Sequence, residues 1–388
     1  MASADPVLPT RGGILTAEGL DGDTWPWPTE WDLVVMHMLA TGLVQLSQIL
    51  EQTRSFPVPY PAPLQRGLDR LTAMCVVAGI EPPRSVMDLA RWAHLPFGSW
   101  PWRPRVEGMG DAERLLAGGK PTKACLEWAV VSGDVEGEVR ERLLIYGVLD
   151  VCKAHGRPDV YTGFRRMLVE RPAMSERDLA LALADPDLAL VAQFVRSAYR
   201  PAPAEALSGG NAVVCGGCGN LWVLDQSGQR RCQEWDCPDP SAEGWRLPAA
   251  EGVVWLSREL RMFVSGPGRV ELRIAQKLER AGLTVTLWPD FDACDLLPAE
   301  VPWAADVKSW LNPVRLAWQL TERPFAPPPG SERGFIVIAA EQTTGRPEYL
   351  RALRSHCAWL KGQSRVRAVT EKAYVEQVIR RAREGAAR

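Results

Sequence analysis

The chain has 388 residues, 46% of them hydrophobic and 24% charged, with a formal net charge of −2. That length predicts two or three domains, each able to bury its own core. The near-neutral charge excludes a histone-like basic coat, no uninterrupted apolar run reaches the roughly 18 residues of a membrane span, and the N-terminus has no signal-peptide pattern.

A cytoplasmic protein is therefore expected, its nine cysteines serving as thiols or metal ligands rather than disulfides. The charge is unevenly spread. Residues 251–388 carry 21 Lys+Arg against 16 Asp+Glu, while the rest carry 24 against 31. The basic surplus reads equally well as solvated helix faces or as a nucleic-acid footprint.

Residues 1–28 have no periodicity and are expected to be a loosely ordered lead that ends in Trp25-Pro26-Trp27-Pro28. A similar Trp100-Pro101-Trp102 is expected to pack on a helical bundle. From Thr29, with Asp32 as a capping-box partner, Leu33, Met36, Leu39, Leu43, Leu46 and Leu50 form one apolar helical stripe. Further helices are predicted at about 63–79, 84–94, 111–133, 137–156, 159–171 and 175–198, punctuated by Pro and Gly. Ser175 with Asp178 is a plausible cap for the last. No strand alternation precedes residue 210, which predicts an all-α N-terminal domain over residues 1–205. Cys75, Cys125 and Cys152 lie among apolar neighbours and read as small buried hydrophobes.

A second unit is expected at residues 206–248. Cys215 and Cys218 are spaced C-x2-C, and Cys232 and Cys237 are spaced C-x4-C. Two close thiol pairs on opposing turns are what tetrahedral Zn²⁺ needs. Leu221–Leu224 and the Asp225–Gly228 turn fit the hairpin of a zinc ribbon, in which the metal staples a unit too small to fold alone.

Residues 249–388 predict an α/β domain. Helices are expected at 254–264 and 269–281, separated by a Gly266-Pro267-Gly268 break, with Gly282 closing the second. Strands follow at 283–288, 294–299 and 302–310, then an Asn312-Pro313-capped helix at 313–322. Strand 335–340, helix 347–360, strand 366–370 and helix 372–384 complete the order.

The chemistry concentrates at the third strand of this region. Lys308 is the only one of seven lysines with an acid two positions before it. The side-chain period of two puts Asp306 and Lys308 on one strand face, with Val307 turned to the other. If the flanking strands pair as a hairpin, Asp295 converges on Asp306. Two carboxylates with the Val307 carbonyl would make an oxygen-only site of the kind Mg²⁺ prefers, where a bound ion polarises a phosphoryl oxygen. Glu271, on the preceding helix, is a further candidate ligand, and Asp292 and Asp290 are alternatives to Asp295. Arg351, Arg354, Arg365 and Arg367 are expected to contact a nucleic-acid backbone. A P-loop is excluded because Gly119-Lys120 precedes Pro121, and neither His-Glu-x-x-His nor Gly-x-Ser-x-Gly occurs.

Glu in a first helix, then Asp, then Asp-x-Lys across a hairpin, in the order α-β-β-β-α-β, resembles the PD-(D/E)xK restriction-endonuclease-like superfamily. Asp306 stands where Glu is commoner. More narrowly, residues 160–388 resemble the nuclease encoded beside prokaryotic PIWI-RE proteins, through YTGFRRMLVERP, the CGGCG…CQEWDC ribbon, PGRVELRIAQKLERAG, LWPDFDACDL and WAADVKSWLNP. That resemblance implies a defence module of a PIWI-RE protein, a helicase and this nuclease, acting on DNA or RNA–DNA hybrids. It implies catalytic roles for Glu271, Asp295, Asp306 and Lys308, with Mg²⁺ or Mn²⁺. The first 150 residues lie outside it. Two rival readings are a catalytically silent nucleic-acid-binding or assembly subunit and a stand-alone restriction nuclease.

Overall fold

The computed structural model describes residues 29–386 apart from positions 54, 107–108, 132–135, 225–227, 233, 235–236 and 364. The expected lead, and most of the expected ribbon turn at Asp225–Gly228, lie outside the described residues.

The first helix, α1 (Thr29–Thr53), buries Met36, Leu39 and Leu43 against α2 (Ala62–Val77). Among the described residues it is also the one helix long and apolar enough to cross a membrane, yet over half of it is buried inside the protein. Asp32 is fully buried, and its carboxylate accepts the Arg105 backbone N–H at 2.7 Å. Helix α3 (Val86–His94) starts where Ser85 accepts the Asp88 N–H. Trp100 and Trp102 are sunk into the bundle core. The helix expected at 111–133 is shorter: Gly118 and Gly119, both at positive φ, turn a small hairpin, and only α4 (Lys123–Val131) is helical.

Helices α5 (Glu136–Ala154) and α6 (Pro158–Glu170) follow. The helix expected at 175–198 is broken at Asp185-Pro186 into α7 (Glu176–Leu183), a 3₁₀ turn and α8 (Ala192–Ala198). Ser175 caps α7 as expected, accepting the Asp178 N–H at 3.0 Å. Two short strands flank these helices, β1 (Ala173–Ser175) and β2 (Tyr199–Pro201). This corrects the all-α expectation for residues 1–205.

The cysteine-bearing unit contains β3 (Asn211–Cys215), β4 (Trp222–Leu224), β5 (Arg230–Cys232) and β6 (Glu243–Pro248). Strands β4 and β5 form the expected antiparallel hairpin, and β3 pairs with β6. The next segment, read as helical from 254, opens instead as β7 (Val253–Leu256), which lies between β1 and β2. Three short strands that meet only across long sequence separations leave no local alternation to detect.

The expected Gly266-Pro267-Gly268 break does not occur: these residues form the first turn of α9 (Gly266–Arg280), which follows directly on a π-helical turn (Arg261–Ser265). Gly268 is needed there, because a Cβ would lie 2.3 Å from Val169 Cγ2 on α6. The main sheet comprises β8 (Val285–Leu287), β9 (Leu296–Pro298), β10 (Trp303–Lys308), β11 (Arg333–Ile338) and β12 (Val366–Thr370), in that spatial order. The first three are antiparallel and the last two join in parallel. Asn312 caps α10 (Pro313–Glu322) through bonds to Val314 N–H and Arg315 N–H. Helices α11 (Tyr349–His356) and α12 (Glu371–Ala386) complete the layers. Phe335 and Val337 pack on the side of α9 and α12, and Ile336 and Ile338 pack under α10 and α11.

No clean boundary separates the helical and α/β regions. One apolar cluster joins Val160, Phe164 and Leu168 of α6 to Ile274 of α9 and to Val307 and Val337 of the sheet. The earlier bundle docks through Arg315, which is fully buried. Its guanidinium bonds Glu127 at 3.0 and 2.7 Å and Glu113 at 3.0 Å, and lies over the Trp128 ring. Arg315→Ala would strand two carboxylates and is expected to cost about 3–5 kcal/mol in urea unfolding. Arg84→Ala, at the exposed Glu81 pair, is expected to cost no more than about 1 kcal/mol.

Candidate active site and metal centre

The three acids and the lysine singled out in the sequence meet in one cavity of about 570 Å³ at the end of the main sheet. Glu271 enters from α9, Asp295 from just before β9, and Asp306 and Lys308 from β10. Strand β9 begins one residue after Asp295, so β10 runs on past it with a free edge. The Asp295 N–H bonds the Ala305 carbonyl at 2.9 Å, and its carboxylate accepts the Val307 N–H at 2.6 Å. The N–H and C=O of one strand residue point to the same edge. The Val307 carbonyl therefore faces the Asp295 side.

The electrostatics are dominated by crowded acid. Burial, then the neighbouring charges of Glu271, Asp306 and Asp292, raises the Asp295 pKa well above the carboxylate range. Burial raises Glu271 as well, against the pull of Arg165. Lys308 pairs with Asp306 at 2.6 Å. Burial alone would lower the Lys308 pKa, but the Asp306 and Asp295 charges outweigh it and raise it. Lys308 is thus a fixed cation.

Arg165 of α6 has no counterpart in the sequence-derived site. It is almost fully buried, bonds Glu271 at 3.4 Å, pairs with Asp292 and lies over the Trp288 ring. Tyr161, one turn earlier, donates to Asp292 at 3.2 Å. No local signal marked Arg165, because its partners Glu271 and Asp292 lie far along the chain. Trp288, itself buried, donates its indole N–H to Glu271. Trp288, Asp290, Phe291 and Asp292 all hold positive φ. Such strain persists only where surroundings over-determine it, and here the anchors are Trp288 on Glu271 and Asp292 on Arg165. Asp292 lines the cavity but is tied to α6, while Asp290 does not line it.

The bundle reaches the same cavity. Lys123 and Glu127 of α4 line it, Lys123 donates to the Ser309 carbonyl, and Glu127 accepts the Leu311 N–H at 2.6 Å. The four arginines expected to touch nucleic acid do not line it. Arg354 and Arg365 donate to the carbonyls of Ala368 and Ser331, and Arg351 on α11 and Arg367 on β12 are exposed.

The four cysteines gather as spaced. Their sulfur atoms all lie within 4.8 Å of one another, with Cys215–Cys237 at 3.5 Å and Cys218–Cys232 at 3.4 Å. Tetrahedral zinc with bonds of about 2.3 Å needs sulfurs a little under 4 Å apart, so the set fits. Gly217 makes room, since a Cβ there would sit 2.9 Å from the Cys237 sulfur. Among the described residues this is the one group of three or more such ligands drawn so close. The carboxylate donors of the cavity are more widely spaced.

An acid-bearing helix packs on this sheet, and Asp-x-Lys lies beside the strand edge that β9 leaves uncovered. Residues 268–386 match the family model described as REase associating with pPIWI_RE, and residues 35–175 match pPIWI_RE three-gene island domain Y. Together these matches associate the chain with the nuclease of the PIWI-RE three-gene system. The second match covers the bundle, for which the sequence motifs had offered no relation. No curated protein and no solved structure matches the chain.

Two outcomes follow from this geometry. Purified protein is expected to hold about one tetrahedral metal per chain by elemental analysis, and Cys218→Ser with Cys237→Ser to lose it. For Asp295, the raised pKa means that ionisation opposes folding once pH exceeds the ordinary carboxylate value of about 4. Asp295→Asn keeps an acceptor for the Val307 N–H and removes the charge. It is expected to raise the urea midpoint at neutral to alkaline pH, with the gain shrinking as pH falls towards about 4.

Proposed function

We propose that the chain is a metal-dependent endonuclease that hydrolyses phosphodiester bonds of DNA, or of the DNA in an RNA–DNA hybrid, within a PIWI-RE defence system that also has a helicase. The observation that carries this is the convergence of Glu271, Asp295, Asp306 and Lys308 in one cavity, from three separate elements. Asp295, Asp306 and the Val307 carbonyl would hold Mg²⁺ or Mn²⁺, with Glu271 beside them; the donor set is all oxygen, as those ions require. The bound ion would supply a polarised phosphoryl oxygen and an acidified water.

The chain's own groups do the remainder. Lys308, held protonated by Asp306 and Asp295, offsets the charge that grows on the phosphorus-bound oxygens. The Val307 N–H fixes the Asp295 carboxylate. Arg165 neutralises Glu271 and Asp292, lowering the cost of packing so much acid in one place. Arg351 and Arg367 remain exposed cations for backbone contact.

The test is cleavage of plasmid, single-stranded DNA and an RNA–DNA hybrid with Mg²⁺ or Mn²⁺, with and without the neighbouring proteins. Asp306→Ala and Lys308→Ala are each expected to lower the rate about 10²-fold or more. Cleavage unchanged by both would overturn the site. No cleavage under any condition would favour a silent binding subunit instead.

A further inference from the structure

A larger cavity lies elsewhere. It measures about 990 Å³ and is walled by α1, the start of α2, the 116–121 hairpin and the β2–β7 pair. Arg66, Lys120, Arg200, Arg258 and Arg261 line it, against one acid, Glu51. Three of these cations are engaged: Arg261 pairs with Glu234 at 2.7 Å, Arg258 donates to the Pro121 carbonyl, and Arg66 donates its Nε–H to the Ala62 carbonyl at 3.4 Å. Arg66, Lys120 and Arg200 form no ion pair among the described residues. Partial burial lowers the Lys120 pKa against the pull of Glu51, with Arg258 and Arg261 adding to the fall. Like charges gathered around one hollow repel each other, and an anion placed among them relieves that repulsion.

We infer that this cavity is a second, non-catalytic site that binds the terminal phosphate of a nucleotide or of a nucleic-acid strand end. Arginine recognises a phosphate dianion through paired, charge-assisted N–H···O bonds. The volume sits at the top of the usual small-ligand range of about 300–1,000 Å³, so there is room for a nucleoside as well as its phosphate. Gln45 and Gln48 supply amides of the kind that pair with base edges, and Ile49 and Trp255 supply apolar wall. Walls on several sides suit a chain terminus rather than a strand running through.

The site is separate from the acidic cavity yet next to it. Leu260 and Arg261 face the basic hollow, while Met262 and Phe263, the next two residues of the same π-helical turn, line the acidic one. A ligand in the basic hollow therefore lies against the turn that launches the Glu271 helix.

The test reads binding alone, with no divalent cation added, so it does not depend on the nuclease assignment. Fluorescence anisotropy of a 3′-labelled tetranucleotide with the full-length protein compares a 5′-phosphate with a 5′-hydroxyl. The phosphorylated end is expected to bind about tenfold tighter or more, the yield of one charge-assisted bond. Lys120→Gln with Arg200→Gln, both at exposed positions, is expected to erase the difference, and Arg66→Gln alone to reduce it. Competition by a nucleoside monophosphate identifies a free nucleotide as the ligand, and its failure to compete identifies a strand end. Equal affinity for both ends with no nucleotide binding would overturn the proposal, as would a phosphate preference that survives the substitutions in a protein with unchanged circular dichroism.

Discussion

Concentrated negative charge is the constraint to which the rest of this molecule answers. Glu271, Asp295, Asp306 and Asp292 line one cavity, two of them nearly or fully buried. Left alone they would protonate or drive the strands apart. Two cations offset them from opposite directions. Lys308 comes from the same strand as Asp306, two residues on, and Arg165 from a helix that precedes the cysteine unit entirely. The acids are thus shared between two stretches of chain, and neither stretch makes an electrically balanced site alone.

That sharing explains why the two family matches belong to one folded body. The α4 helix of the domain Y region lays Lys123 and Glu127 on residues 309–311, the segment that leaves the Asp-x-Lys strand. Arg315 then locks the bundle from the other side. A buried ion pair is weak evidence for net stability, because desolvation takes back most of the attraction. Its better-attested effect is on register. Here it leaves one docking position that satisfies Glu113 and Glu127 together.

Much of this was legible in the sequence, and the split follows sequence distance. The thiol cluster declared itself through C-x2-C and C-x4-C. The Asp306/Lys308 face followed from the strand period, and the Asn312-Pro313 cap from local chemistry. Each depends on residues that are near one another in the chain. Arg165 and Glu127 were missed because their partners lie 106 and 188 positions away. A basic residue on an amphipathic helix looks the same whether it faces water or a carboxylate. Strand β7 was misread for a similar reason: four apolar residues followed by a helix start carry no mark of the two distant strands that flank them. Gly266-Pro267-Gly268 was read as a break, yet proline is tolerated in the first turn of a helix, and the three residues open α9.

The cysteine unit leaves and rejoins the body at neighbouring points. Strands β2 and β7 are antiparallel partners, and the Ala202 N–H bonds the Val253 carbonyl at 2.8 Å. The 50 residues between are therefore an excursion whose two feet stand side by side. The pairing of the flanking strands does not depend on the four-cysteine cluster, because the strand clasp sits outside the excursion. The excursion itself can be lengthened, shortened or exchanged across a span that a tight turn would bridge. In modular terms the cysteine-bearing part stands on paired feet, while the acid-bearing cavity and the helical bundle have to be inherited together.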